Sequence, residues 1–150
     1  MIYTVGEMAK QLNIAPSTLR YYDREGLLPF VERSASGTRI FTERDYGWLK
    51  IISCLKSAGM PIKEIRRYID LAMAGNDTID ERLQMFLKQR ERLQQQMDEL
   101  QQTLDVVEFK CWFYETAKAH GCEDIPENMS DEELPDRFRT VRHRLLNLGE

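Results

Sequence analysis

Between Ile79 and Tyr114 the apolar residues recur at alternating spacings of four and three: Ile79, Leu83, Phe86, Leu93, Met97, Leu100, Leu104, Val107, Cys111 and Tyr114. Only Arg90 interrupts the series. With Gln, Glu, Arg and Lys filling the other positions, this is the heptad seam of a coiled coil. No Pro or Gly breaks it before Gly121, so the spacing predicts one helix of ~40 residues, ~60 Å long at 1.5 Å per residue. Such a helix outruns a small domain and cannot bury its own stripe. A second copy of the chain is the simplest cover, meeting it along Ile79, Leu83, Phe86, Leu93, Met97, Leu100, Leu104 and Val107. The alternative cover is the tail, where Ser130-x-x-Glu133 precedes an amphipathic Phe138, Val141, Leu145, Leu148 segment. It is too short to cover the whole seam.

The seam divides a 150-residue chain into three parts: a domain over 1–75, the long helix over 76–120, and a tail with a short helix over 121–150. Charge follows the same boundary. Residues 1–70 carry 11 Lys/Arg and 8 Asp/Glu, whereas 71–150 carry 10 and 17. The net −4 of the whole chain therefore averages a basic half with an acidic one, and binding follows local potential rather than the average. No stretch approaches the ~20 apolar residues of a membrane span, and Met1–Ile14 lacks the basic start and apolar run of a secretory signal. Three scattered cysteines make no disulfide framework. A cytoplasmic protein that works away from membranes is expected.

The first part is expected to be helical with one small hairpin. Val5, Met8, Ala9 and Leu12 lie on one face of a short helix opening near Thr4. Asn13 suits a left-handed turn, Pro16 the first position of a second helix, and Gly26 its end. Two short helices around a tight turn make a helix-turn-helix. Phe30–Arg33 and Thr38–Phe41 flank Ser34-Ala35-Ser36-Gly37 as a hairpin. Thr42 and Asp45 start a third helix that stops at Gly59, Pro61 opens a fourth closed by Gly75, and Thr78-x-x-Glu81 reads as a capping box for the long helix.

On the second helix, Ser17, Thr18, Arg20 and Tyr21 point outward, while Leu19 and Tyr22 point in. An Arg fork suits guanine edges or phosphates, and hydroxyls suit phosphate oxygens. Arg33 and Arg39 stand on opposite arms of the hairpin, placed to straddle a nucleic-acid backbone, and Lys56 adds a third phosphate contact. Singly, each is an ordinary surface charge. Together, on a helix-turn-helix beside a dimer-forming helix, they describe a reader of double-stranded DNA. Enzyme motifs are absent: His120 and His143 are the only bases near neutral pH, and no phosphate loop, nucleophile elbow or metal-hydrolase spacing appears. A coiled-coil interaction protein without DNA binding remains the rival, and it leaves those arginines unexplained.

Thr4-Val5-Gly6-Glu7-Met8-Ala9, Thr18-Leu19-Arg20-Tyr21-Tyr22-Asp23, Gly26-Leu27-Leu28, Ser36-Gly37-Thr38-Arg39-Ile40-Phe41 and Leu55-Lys56-x-x-Gly59 resemble, in order and spacing, the MerR family of bacterial transcription regulators. The resemblance is strong over residues 2–75 and extends in type along the long helix. Ala15 departs from a frequent capping Ser, which weakens that helix start by ~1 kcal/mol, and Thr38 replaces a frequent wing aromatic. The resemblance implies a mostly α protein: a winged helix-turn-helix followed by a long helix that dimerises as an antiparallel coiled coil. It implies no cofactor. A homodimer would read a pseudo-palindromic promoter site and, on effector sensing, distort the DNA so that RNA polymerase engages. Tyr21, Tyr22, Arg39 and Lys56 match the family's DNA-backbone positions, and Ser17, Thr18 and Arg20 its groove-facing ones. For Tyr22 a core role is the alternative.

The effector is a small species that the sequence does not name. Cys54 coincides with the lone cysteine of a branch of the family that responds to aldehydes and other thiol-reactive stress. Trp48, Ala58-Gly59 and Gly75-x-Asp77-Thr78 resemble that branch too. Lys50, one turn earlier, would favour the reactive thiolate. Simple packing in an apolar helix is the alternative for Cys54. A second option is an organic ligand among Phe109, Trp112, Phe113 and Tyr114. A third is a metal held by Cys111, His120, Cys122 and Glu123.

Overall fold

The computed structural model describes residues 1–146 and divides into two compact units, the first running from Met1 to Glu91 and the second from Arg92 on. The first holds β1 (Ile2–Tyr3), α1 (Val5–Gln11), α2 (Pro16–Arg24), β2 (Glu32–Arg33), β3 (Arg39–Thr42), α3 (Glu43–Ser57), α4 (Ile62–Ala74) and a 3-10 turn at Asn76–Thr78. Next comes α5 (Ile79–His120), whose opening turns belong to the first unit.

Local chemistry sets most of these boundaries. Thr4 and Glu7 close a capping box: the Thr4 backbone N–H donates to the Glu7 carboxylate at 2.8 Å, and the Glu7 N–H donates to Thr4 Oγ1 at 3.3 Å. The Thr4 hydrogen bonds hold the Glu7 carboxyl below the usual carboxylate range. Asn13 adopts φ 54° in the turn between α1 and α2, and Gly26, at φ 74°, ends α2. The start of α2 lacks a side-chain cap at Ala15 and relies on Pro16. Thr42 and Asp45 form the second capping box, at the head of α3.

Two expectations fail here. Thr78 does not cap α5; its hydroxyl donates backwards to the carbonyls of Leu71 (2.6 Å) and Gly75 (2.8 Å). It therefore satisfies carbonyls at the C-terminal end of α4, while Glu81 pairs with Arg67 instead. The hairpin is also shorter than expected, because Phe30 lies in a turn outside β2. Its sheet is larger: β1 joins as a third strand in the order β1-β3-β2, all antiparallel, with Tyr3 opposite Phe41 and Arg33 opposite Arg39.

The core of the first unit gathers Met8, Leu19, Phe41, Leu49, Ile52 and Ile65, all at most 1% exposed. Beside it runs a row of rings from the base of the hairpin to α5: Phe30 on Trp48 (5.5 Å between centroids), Trp48 on Tyr68 (6.1 Å), and Tyr68 edge-on to Phe86 (5.0 Å). Gln89 adds a hydrogen bond of 2.8 Å from its Nε2 to the Ala58 carbonyl.

In the second unit the tail adds α6 (Asp124–Asn128), which the sequence pattern did not suggest, and α7 (Asp136–Leu146). Leu134, Phe138 and Val141 are buried on Phe109, with Val106 and Trp112 around them. At 100° per residue, Phe109 lies on the far side of α5 from Val107 and Leu104. The tail thus covers the face opposite the seam. It also fills the aromatic cluster expected to hold an organic ligand: Phe138 stands 5.6 Å from both Phe109 and Trp112. Phe109 and Trp112 of that cluster belong to the core, whereas Phe113 is half-buried and Tyr114 exposed. Leu148 lies outside the described residues.

Phe138 is the keystone of this small core, at 2% exposure. Phe138→Ala is expected to cost about 3–5 kcal/mol and to release α7. Hydrogen exchange should show residues 136–146 losing protection while the helices around Leu49 and Ile65 keep theirs. Unchanged protection of α7 would mean that the tail is held by something else.

Among the described residues nothing covers the seam. Its expected dimer-contact residues are all solvent-exposed, from 37% at Phe86 to 69% at Leu100. An exposed apolar stripe of this length, broken only at Arg90, marks an association surface.

Candidate nucleic-acid interface

Leu19 and Tyr22, at 1% and 3% exposure, hold the inner face of α2 against the core. That fixes which side chains look outward. Ser17 and Arg20 are exposed, and Thr18 and Tyr21 are half-buried at the edges of the same face. Tyr22 does not reach this surface. Its ring belongs to the core, as its inward helical position allowed, and the expectation of a DNA contact at Tyr22 is corrected. Arg24, one turn beyond Arg20, was not singled out from sequence, yet it is exposed on the same face with its guanidinium 5.7 Å from the Tyr21 ring centroid. The four-residue spacing from Arg20 was the available signal.

The hairpin is closed by its own turn. Ser34 N–H donates to the Thr38 carbonyl and Gly37 N–H to the Ser34 carbonyl, each at 2.8 Å. Gly37 sits at φ 81°, where a side chain would be strained even though space surrounds it.

Arg33 and Arg39 face each other across the two strands, but they do not splay as two free cations. Both turn to Asp23 on α2. Arg33 Nη2 lies 3.2 Å from Asp23 Oδ2, and Arg39 Nη2 donates to Asp23 Oδ1. Arg33 also donates to the Gly37 carbonyl at 2.9 Å, and Arg39 to the Val31 carbonyl at 2.5 Å. The Arg33 side chain stays 51% exposed, whereas that of Arg39 is only 18% exposed. Arg39 is thus spent largely inside the protein, which corrects the picture of two arginines straddling a backbone. The hairpin is tied to α2, so groove-facing and backbone-facing groups share one rigid surface.

Lys56 is exposed in the last turn of α3. Two turns of that helix line an open cleft of about 350 Å³ whose walls include Tyr46, Lys50, Ser53 and Cys54, with Leu12 and Asn13 opposite. Cys54 is an exposed free thiol, so the packing alternative does not hold for it. The Lys50 ammonium stands 5.7 Å from the Tyr46 ring centroid, and the Ser53 hydroxyl is buried without a hydrogen-bond partner. Among the described residues no three His, Cys, Asp or Glu side chains converge as metal ligands, and Cys111, His120, Cys122 and Glu123 are not brought together. No described helix is long and apolar enough to cross a membrane.

Comparison with known proteins agrees with this geometry. Residues 3–72 match the family model described as "MerR HTH family regulatory protein", and 47–108 match "MerR, DNA binding". An uncharacterized HTH-type transcriptional regulator of Haemophilus influenzae is 45% identical over 121 residues, covering 81% of this chain and 90% of that protein. The HTH-type transcriptional regulator AdhR of Bacillus subtilis is 37% identical over 89 residues, covering 59% of this chain and 64% of its own length. Among solved structures, HiNmlR, described as a MerR family regulator lacking the sensor domain and bound to promoter DNA, is 43% identical. It superposes with a TM-score of 0.73 over 83% of this chain and 99% of its own.

Proposed function

The chain belongs to the MerR family of DNA-binding transcriptional regulators, and from that premise we propose that it works as an antiparallel homodimer that reads a pseudo-palindromic promoter site and switches it through Cys54. Its relatives are transcriptional regulators, not enzymes. The observation that carries the reading is the shared surface of α2 and the hairpin, where Ser17, Arg20 and Arg24 flank a hairpin tied to the same helix through Asp23. In this reading Ser17, Thr18 and Arg20 face the groove, with Arg20 on base edges, and Tyr21, Arg33 and Lys56 contact the backbone. Residues 1–75 read DNA, 76–120 dimerise, and the described part of the 121–150 tail, through Leu134, Phe138 and Val141, braces the far face of the dimer helix. Like HiNmlR, this chain is proposed to bind promoter DNA. RNA polymerase is the partner that the distorted promoter would serve.

The seam favours a particular pairing. When one of two such helices is reversed, a single register lines up nearly every layer: Met97 meets Leu100, Leu93 meets Leu104, Arg90 meets Val107, Phe86 meets Cys111 and Leu83 meets Tyr114. In that register Arg90, the one polar break, sits beside the partner's Glu108.

For the effector, the exposure of Cys54 in an open cleft, one turn from Lys50, supports an electrophile such as an aldehyde. The Cys54 thiol adds across the carbonyl: a C–S bond forms, the π pair moves to oxygen, and that oxygen takes the thiol's proton. The product is a thiohemiacetal, and no oxidant is consumed. Cys54→Ser is expected to abolish the transcriptional response to an added aldehyde while leaving operator affinity within about twofold, since the residue lies outside the α2 and hairpin surface. Reporter transcription with and without aldehyde, alongside anisotropy titration of labelled operator, measures both. A full response in the Cys54→Ser protein would remove Cys54 as the sensor.

A further inference from the structure

We propose that Asp23 is a positioning residue for DNA reading: its carboxylate sets the hairpin at a fixed angle to α2 and withholds part of the hairpin's charge from phosphates outside the operator. This rests on the DNA-reading surface described above.

Asp23 lies on α2 one residue past the buried Tyr22, so its own position is fixed by the core. Its two oxygens serve different strands, Oδ2 taking Arg33 from β2 and Oδ1 taking Arg39 from β3. Because Arg33 and Arg39 are directly paired across the hairpin, this one carboxylate grips both arms and blocks rotation of the hairpin about either strand. The sequence separations are 10 and 16 residues, so these contacts link segments that the backbone leaves free to vary. Each arginine is further held by a carbonyl of the hairpin or its approach, Gly37 or Val31. Pairing with β1 and the buried Phe41 anchor β3 to the core, and the Asp23 contacts add the direct tie from both arms of the hairpin to the recognition helix.

The charge consequence is separate. Two guanidinium groups against one carboxylate leave a net single positive charge, carried mainly on the more exposed Arg33. A protein that offered both arginines freely would bind any duplex more tightly, because affinity without sequence preference comes from phosphate neutralisation. Asp23 exchanges that affinity for geometry: Arg33 is presented where α2 already sits in a groove, and Arg39 is kept as a structural strut.

The test compares wild type, Asp23→Asn and Asp23→Glu on two labelled duplexes of equal length: one selected by wild type from a random library, and its scrambled sequence. Each is titrated across a salt series. Asp23→Asn removes the carboxylate charge that pairs with both arginines and weakens the tie between the hairpin and α2. The scrambled duplex should then bind more tightly, with a log affinity versus log salt slope steeper by about 1–2 per protomer, and preference for the selected duplex should fall by about tenfold. Asp23→Glu keeps the charge but moves it by one methylene, so the slope should stay near wild type while preference still falls. Three results would overturn the proposal: unchanged preference in both variants, equal weakening on both duplexes with an unchanged slope, or full rescue of preference by Asp23→Glu. Failure of wild type to distinguish the duplexes would instead sink the DNA-reading assignment itself.

Discussion

Leu100→Asp is expected to convert the dimer to monomer at micromolar concentration and to abolish tight operator binding. Leu100 is the most exposed of the eight expected dimer-contact residues, at 69%, and in the antiparallel register it lies next to the twofold axis against Met97. A charge there is buried twice, once from each protomer. Leaving an uncompensated charge in an apolar contact costs about 3–5 kcal/mol, so the dimer dissociation constant should rise by at least 100-fold. Sedimentation equilibrium reads that change directly. Operator affinity follows, because a monomer contacts one half-site and forfeits the other. The double variant Met97→Lys with Leu100→Asp separates the two helix directions. Antiparallel pairing sets each Asp against a partner Lys and recovers part of the dimer. Parallel pairing sets like against like and recovers none. If Leu100→Asp stayed dimeric, the seam would not be the interface.

Arg20→Ala is expected to reduce operator affinity by about 2–6 kcal/mol. A bidentate arginine contact to a base edge contributes about 1–3 kcal/mol, and a homodimer makes it twice, with the copies far enough apart to add. The loss should be confined to specific sequence. Selection of preferred duplexes by the variant should show relaxed preference at one position in each half-site, placed symmetrically. Arg24→Ala, on the same face but beside the Tyr21 ring, provides the contrast: a more uniform loss across sequences with a shallower salt slope. Neither residue is in the core, so thermal unfolding should stay within a degree or two of wild type. An Arg20→Ala protein with wild-type affinity and preference would show that α2 does not present Arg20 to a base.

The parts of this architecture that were legible in sequence are those set within a few residues. Thr4 and Glu7 are three apart, so their reciprocal hydrogen bonds form as soon as the first turn does. Asn13 and Gly26 accept left-handed backbone wherever they stand. The inward face of α2 followed from Leu19 and Tyr22, and that same periodicity already carried the core reading of Tyr22. The same kind of local reading failed at Thr78, where a capping-box spacing was present but α4 ended within reach and offered unsatisfied carbonyls to the same hydroxyl. It failed again for β1, because two residues carry too little pattern to announce a strand before Phe41 and Thr42 arrive to pair with them.

The seam and the tail show the division most clearly. Spacings of four and three along one helix fix a stripe in space, so the sequence alone determined that α5 is long, that its stripe runs along one side, and that a partner is needed. It could not determine which side the tail would take. Val106, Phe109 and Trp112 make a second apolar face that periodicity does not separate from the first, and only the packing of Leu134, Phe138 and Val141 assigned the tail to it and left the seam open. Likewise the sequence placed Arg33 and Arg39 on two arms of a hairpin, but only the tertiary structure turned both toward Asp23. A charged side chain's partner is chosen by which carboxylate or carbonyl comes within about 3 Å after folding, and that depends on segments the chain leaves far apart.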